Sequence, residues 1–490
     1  MGSLSPSRYS RVTKRVPGYV YLVGVGPGDP DCVTQRVLDV LGQADVVLYD
    51  YLVHSSVLAH VPPQATVVCV GKQRGRHSQT QVQINTQMIA YAQDGHRVVR
   101  LKGGSPTVFG RGGEEMIALT EAGIAFELVP GVSSVFGVLE RVGIPVTHRD
   151  CARSVAVVSG ASAHQGEWRG RVPNADTLIA VMAVKNSAAF IQQVLADTDH
   201  TPDTPAAIIY KGTSAHEQVW VTTVGGMQAI ASEVQSPALV VIGPVVRYRE
   251  YCEGYRQGPL TGTRIVSLRP QSPVALPTTR GSWEAQWQAD GADVVRYPVQ
   301  DIHRIAAPMV PVDTADWVVF TSQIAVSCFV DWLREHRLDW RSVSGKVVAI
   351  GSATSAVLRA VGIQADGVAE QSDQEGVLDL FPQNMSGESV LFPCSERARP
   401  MLTDTVTQRG GQVVVLPVYT AVTQQRYTVP LYDGDCVVFT SAGTVAAFFE
   451  KHETVPDIVA WVWGERTKQA LRGYFSGPIR LVEDMLNKQG

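Results

Sequence analysis

A carboxylate, a cluster of cations and a set of glycine-rich turns are the parts of this chain that could do chemistry. Asp50 closes the apolar run Asp45 to Tyr49 and is followed by Tyr51-Leu52-Val53. A carboxylate at a strand end is a candidate general base or ligand hook, and equally a candidate helix N-cap. Lys72, Arg74 and Arg76 crowd the polar run from Lys72 to His77, which suits an anionic ligand or a solvated loop. Gly24-Val25-Gly26-Pro27-Gly28-Asp29-Pro30 follows one apolar run. Leu101-Lys102-Gly103-Gly104-Ser105-Pro106-Thr107-Val108 follows another and continues into Phe109-Gly110-Arg111-Gly112-Gly113-Glu114-Glu115. Such turns present bare backbone to a small ligand. Pro27 and Asp29 break the G-x-G-x-x-G spacing, and no acidic residue follows in the ribose position, so a nicotinamide-dependent dehydrogenase is disfavoured. Arg111, flanked by glycines, is uncrowded, whereas Glu114 and Glu115 suit the N-terminal dipole of a helix. Met182 lies in an apolar run and, taken alone, reads as core.

The second half carries hydroxyls. Tyr419 follows Leu416-Pro417-Val418, where a phenol is either a proton donor or a buried, satisfied group. Val318-Val319-Phe320-Thr321-Ser322 recurs as Val437-Val438-Phe439-Thr440-Ser441, each copy preceded by an acid, Asp316 or Asp435. Gly351-Ser352-Ala353-Thr354 is mirrored by Gly464-Glu465-Arg466-Thr467. Two matched features in the same order imply two similar lobes. Thr354 and Thr467 read by default as helix caps.

From residue 19 to about 250, apolar strands alternate with amphipathic helices. Asp31 is expected to cap a helix bearing Val33, Val37, Val40 and Leu41. Ser133-Ser134 opens another after Pro130-Gly131. Strand, glycine turn and helix in repetition imply an open α/β sheet, with ligands beyond the carboxyl ends of its strands. The polar, Gly- and Pro-punctuated stretch from Arg247 to Thr263 reads as a linker.

At 490 residues the chain has room for about three domains. Its 45% hydrophobic and 18% charged content argues against long disorder. A net charge of −4 gives no overall attraction to nucleic acid or anionic membrane, so an anionic substrate needs local Lys and Arg clusters. Seven scattered cysteines without C-x-x-C spacing suit the reduced cytoplasm and disfavour a zinc site. No apolar run reaches membrane-spanning length, and residues 1–17 read as a flexible N-terminus.

In company, these motifs resemble a known pair of enzyme families. Residues 18–250 resemble uroporphyrinogen-III C-methyltransferase, of the tetrapyrrole methylase family. The match rests on GVGPGDP, Asp50 with Leu52-Val53, Val70-Gly71-Lys72, the KGG-x-P-x-VFGRGGEE run, Val129-Pro130-Gly131, Gly143-Ile144-Pro145 with Thr147-His148-Arg149, Met182 and Ser236-Pro237-Ala238-Leu239. Residues 264–485 resemble uroporphyrinogen-III synthase through Leu268-Arg269-Pro270, both VVFTS strands, Gly351 to Thr354, Pro417 to Thr420 and Gly464 to Thr467. The resemblance implies a two-domain α/β methylase fold (about 18–150 and 151–250) and a linker at 251–263. Two flavodoxin-like synthase lobes follow, one of 264–298 plus 420–485 and one of 299–419. It also implies a cytoplasmic homodimer formed through the methyltransferase half.

The implied reactions are closure of hydroxymethylbilane to uroporphyrinogen III and its double methylation to precorrin-2 by S-adenosyl-L-methionine, without a metal. The product would feed siroheme or cobalamin. By position, the resemblance makes Asp50 the base and Lys72 the acid. Pro27, Gly103, Gly104, Ser105, Val108, Ser133, Ser134, Met182 and Gly212 line the donor site, and Arg111 is on the substrate side. Tyr419 becomes the proton donor of the synthase half, with Thr354 and Thr467 lining its cleft. The chain departs from the family at Ser105, where the family has Asp, and at Ser159-Gly160-Ala161, where it has Thr-Gly-His. The alternative reading keeps the methylase active and makes the synthase-like half a tetrapyrrole-binding or regulatory module.

Overall fold

The computed structural model describes residues 18–71, 79–160, 171–252, 258–270, 283–371 and 373–482. Short β-branched runs form the first sheet. Its strands lie in the order Thr66–Cys69, Val46–Tyr49, Arg97–Lys102, Tyr19–Gly24 and Ala125–Val129, all parallel. Helices cover both faces, which is why Val46 to Leu48 and Val98 to Leu101 are buried continuously rather than alternately. Helix Gln35–Leu41 turns Val37, Val40 and Leu41 inward. Asp31 does not cap it. Pro30 starts a separate short 3₁₀ turn, Pro30–Cys32, whose cap is Asp29, accepting from the Asp31 amide at 2.9 Å, and Thr34 stands at the N-cap of the longer helix.

A second sheet follows in the order Val155–Ser159, Thr177–Val181, Ala238–Ile242, Pro205–Tyr210 and Gln218–Thr223. Its first pair is parallel and the others antiparallel. Helix Ser134–Arg141 turns Val135, Val138 and Leu139 into the core shared with Ile179, Ile209 and Val241 of this sheet, joining the two layers.

The second half holds two more sheets. The first is wholly parallel, in the order Asp293–Arg296, Arg264–Ser267, Cys436–Phe439, Val459–Val462 and Ile479–Leu481. Second, first, third, fourth, fifth is the flavodoxin-like order. The other sheet runs Gln300–Arg304, Gln412–Thr423, Ser389–Ser395, Trp317–Phe320, Lys346–Ala349 and Gly367–Val368. Its five parallel strands take the other doubly wound order, with Gln300–Arg304 added antiparallel at one edge. That edge pairing carries strand Gln412–Thr423 past residue 419, because Gln300 pairs with Thr423.

The halves share an apolar core. Val53, Val57, Leu58 and Val61 cluster with Tyr297, Val299, Tyr427 and Val429. Ser56 Oγ donates to the Val294 carbonyl at 3.1 Å and accepts from the Arg296 amide at 2.9 Å. Leu260, from the expected linker, is buried with Trp287, and its amide donates to the Asp290 carbonyl at 3.0 Å. Residues 253–257 of that stretch lie outside the described residues. Among the described residues no helix is long and apolar enough to cross a membrane.

Candidate functional site

Three glycine turns of the first sheet touch through bare backbone. The Gly104 amide donates to the Gly26 carbonyl at 2.6 Å, and the Gly26 amide donates back at 3.3 Å. A Cβ on Gly131 would lie 2.4 Å from the Gly24 carbonyl and 2.5 Å from that of Gly104. No other residue fits there without moving main chain. Ser133 and Ser134 lie against Gly104, and Leu52 against Gly103. Thr213 Oγ1 donates to the Pro27 carbonyl at 3.1 Å, and Val138 packs on Gly212. Pro27, Gly103, Gly104, Ser133, Ser134 and Gly212 therefore meet at one place, beyond the ends of strands Tyr19–Gly24 and Arg97–Lys102.

The surrounding loops are strained. Phe109 (φ 52°), Arg111 (57°), Met182 (57°), Lys211 (43°) and Thr213 (72°) all adopt left-handed backbone. Non-glycine residues hold that conformation where surrounding structure enforces it, commonly at binding sites. Met182 is not core: it follows strand Thr177–Val181 and stands 50% exposed. Val108 is also exposed. Ser105 Oγ lies 3.5 Å from Thr107 Oγ1. Arg111 sits at the N-cap of helix Gly112–Glu121 and is tied to Glu114 by two bonds of 3.0 and 2.6 Å, with its side chain exposed. Lys72 and the rest of its cationic run, through residue 78, lie outside the described residues.

Asp50 belongs to a charge network that the sequence reading missed. It caps no helix. Its Oδ1 accepts from Arg100 Nη2 at 2.6 Å, and its Oδ2 lies 3.8 Å from Lys102 Nζ. Glu115 is fully buried, and its Oε1 accepts from Arg100 Nε at 3.1 Å, Lys102 Nζ at 3.0 Å and Gln81 Nε2 at 3.1 Å. Glu115 thus does more than answer the helix dipole. Burial, reinforced by Arg100, lowers the Lys102 pKa, against the opposing pull of Glu115 and Asp50. The available signal was Arg100 and Lys102 on one face of an otherwise apolar central strand, where charges must find partners.

In the second half, Ser322 and Ser441 stand two residues beyond strands Trp317–Phe320 and Cys436–Phe439 and cap helices Gln323–Glu335 and Ala442–Lys451. Tyr419 is buried, with its hydroxyl 3.1 Å from Ser322 Oγ. Burial raises its pKa, and the Ser322 bond opposes the shift. Thr354 and Thr467 are not caps. Gly351 and Gly464 hold those positions, and both threonines lie buried in the first turns of Ser352–Ala360 and Glu465–Arg472. Polar contacts join the lobes: Arg269 Nη2 donates to Gln323 Oε1 at 2.9 Å, and Arg466 pairs with Glu375.

Fold and sites together define a two-part α/β protein, each part gathering polar groups at the edge of a sheet or beyond its strands. The model for Tetrapyrrole (Corrin/Porphyrin) Methylases matches residues 19–228, and that for Uroporphyrinogen-III synthase HemD matches residues 281–479. The chain is 30% identical over 481 residues to the Porphyrin biosynthesis protein HemD of Ruminiclostridium josui, covering 93% of this chain and 94% of that protein. It belongs to this family of tetrapyrrole-biosynthesis enzymes, in which a tetrapyrrole methylase domain precedes a uroporphyrinogen-III synthase domain. Siroheme synthase 1 of Yersinia pseudotuberculosis is 43% identical over 254 residues, 51% of this chain and 54% of that protein, so the chain spans about half the length of that relative. A solved uroporphyrin-III-C-methyltransferase from Thermus thermophilus is 40% identical, covering 48% of this chain and 96% of that one, with a TM-score of 0.42.

Proposed function

We propose that the chain closes hydroxymethylbilane to uroporphyrinogen III in residues 264–485 and methylates that product twice, to precorrin-2, in residues 18–250. The methyl donor is S-adenosyl-L-methionine. The protein works as a cytoplasmic homodimer paired through its methyltransferase half. The observation that carries the first activity is the meeting of Pro27, Gly104, Ser133 and Gly212 beside the Asp50 network. Main chain that no side chain covers, carbonyls with a second lone pair and two serine hydroxyls are available to the polar ends of a donor. Exposed Val108 and Met182 offer apolar surface to its remainder.

When bound, the donor supplies an electrophilic methyl group for in-line transfer to a pyrrole carbon. The chain's part is alignment and proton handling. Arg100 occupies Asp50 Oδ1, which leaves Oδ2 as the atom that takes the ring proton. Glu115, itself held by Lys102, fixes Arg100 from behind, so the carboxylate keeps one orientation. Lys72 is the proposed acid. Ser105 offers the donor a neutral hydrogen bond, where an Asp would offer a charge-assisted one. In the synthase half, Tyr419 is protonated at neutral pH, as burial moves its pKa further from neutrality, and its hydroxyl can donate to the departing hydroxyl of hydroxymethylbilane. Thr354 and Thr467 stand on opposite lobes of that cleft.

The test is the full chain incubated with hydroxymethylbilane and S-adenosylmethionine. A dimethylated type-III product is expected. Uroporphyrinogen III without methylation would refute the methyltransferase half. Methylation of supplied uroporphyrinogen III, with no turnover of hydroxymethylbilane, would make the second half a binding module.

A further inference from the structure

The loops on the two sides of the proposed donor cleft come from different sheets. One, residues 50–54, leaves strand Val46–Tyr49 with Asp50 at its head. The other, residues 211–217, joins Pro205–Tyr210 to Gln218–Thr223 and contains Gly212. Both are gripped by the C-terminal half. Asp293, at the start of strand Asp293–Arg296, accepts from His54 Nε2 at 3.1 Å through Oδ1 and from the Ala215 amide at 3.1 Å through Oδ2. His54 Nδ1 accepts from the Ser56 amide at 3.4 Å, which leaves Nε2 as the protonated nitrogen facing Asp293.

Tyr432 makes a second, separate bridge. Its ring lies 5.5 Å from Lys211 Nζ and meets the His216 ring edge-on at 5.8 Å, while burial and then the neighbouring Tyr51 hydroxyl raise its pKa. The tyrosine is anchored in its own half. Its amide donates to Asp435 Oδ2 at 2.9 Å, Asp435 is held by buried Arg264 at 2.5 Å, and the Arg264 guanidinium lies 5.0 Å from the Tyr432 ring.

We infer that the synthase-like half sets the width of the methyl-donor cleft, with Asp293 and Tyr432 as positioning residues that bind both loops to one rigid support. The inference rests on the methyltransferase reading above. It also accounts for the left-handed backbone of Lys211 and Thr213 on either side of Gly212, since such strain persists only where the surroundings over-determine it. Neither residue is placed against donor or acceptor; both act through the loops.

The experiment uses the full chain with Asp293→Ala, Tyr432→Ala and Tyr432→Phe, titrated with S-adenosylhomocysteine by calorimetry. Amide exchange is followed at residues 50–54 and 211–217 without ligand. Loss of a charged, partly buried hydrogen-bond pair predicts affinity about tenfold weaker in Asp293→Ala. Exchange should quicken in both loops, and the donor KM should rise while kcat holds. Tyr432→Phe keeps its ring contacts and should fall between wild type and Tyr432→Ala. Should Asp293→Ala fail to fold, the two Tyr432 variants decide. Folded variants with wild-type affinity and exchange would overturn the inference while leaving the methyltransferase reading intact. A wild-type chain that does not bind S-adenosylhomocysteine would overturn both.

Discussion

Replacing Glu115 with Gln tests whether the buried charges hold Asp50 for catalysis. The substitution keeps the shape and removes one negative charge. In the native network Arg100 and Lys102 are balanced by Asp50 and Glu115. The Glu115 contacts, at 3.0 and 3.1 Å, are each worth about 5 kcal/mol of Coulomb energy at an effective dielectric of about 20. Desolvation of Arg100, Lys102 and Glu115, all nearly inaccessible, offsets much of that gain. Breaking one partner of such a network typically destabilises by about 3–5 kcal/mol, because a buried charge is left uncompensated. In a domain of this size that lowers the melting temperature by about 10 °C. Lys102 should also move towards Asp50 Oδ2, the proposed proton acceptor, and kcat for methylation should fall about tenfold. The assay is calorimetric melting beside methyl transfer from labelled donor. Adding Lys102→Met to Glu115→Gln restores neutrality and should recover more than half of the lost stability, a coupling that a double-mutant cycle measures. A Glu115→Gln protein melting within about 2 °C of wild type, or strictly additive single effects, would refute the reasoning.

Other outcomes follow from single sites. Gly131→Ala drives a Cβ to 2.4 Å from the Gly24 backbone, so stability should drop by about 3 kcal/mol in urea unfolding, with loss of S-adenosylhomocysteine binding. Ser105→Asp replaces a neutral acceptor with a charged one and should tighten donor binding about tenfold in calorimetry. Tyr419→Phe removes the hydroxyl next to Ser322, whose Oγ still accepts from the Ala325 amide. Stability should therefore fall by only about 1 kcal/mol, while formation of the ring-inverted isomer drops about a hundredfold by chromatography of the products. Burial lowers the Lys451 pKa to about 8. Between there and the ordinary lysine value, the unfolded chain binds more protons than the folded one, so stability rises with pH across that window. Lys451→Met should flatten this rise and stabilise the protein at pH 7 by an amount on the order of 1–2 kcal/mol, after allowing for solvent screening. Paired melting curves from pH 7 to 10.5 measure the difference.

Much of the fold was legible because its signals are local. β-branched runs make strands, and Gly26, Gly104 and Gly131 make turns whatever their distant neighbours. The repeat of Val318–Ser322 at Val437–Ser441 marks two strand-to-helix corners because a serine side chain caps a helix by accepting from the amide three residues on. Asp50 was visible as a polar group at a strand end, and Tyr419 as a phenol beside an apolar run, although Tyr419 lies inside strand Gln412–Thr423 rather than at its end. Their partners were not, since Arg100 stands 50 positions from Asp50 and Ser322 stands 97 from Tyr419. Local reasoning also misplaced single residues: Met182 in the core, Asp31 as a cap, and Thr354 and Thr467 as caps.

By itself, then, the sequence determined the α/β class, the order of the two halves and the turns that bear the candidate residues. Short-range sterics and hydrophobic alternation act within a few residues and need no partner. Sheet order, and everything that depends on it, was decided by the tertiary structure. Strand Val46–Tyr49 lies beside Arg97–Lys102, so Asp50 meets Arg100 and Lys102. Strand Asp293–Arg296 packs against Ser55–His60, so a carboxylate of one half holds two loops of the other. Charges buried this way are stable only in company, and their companions are chosen by packing across the whole molecule.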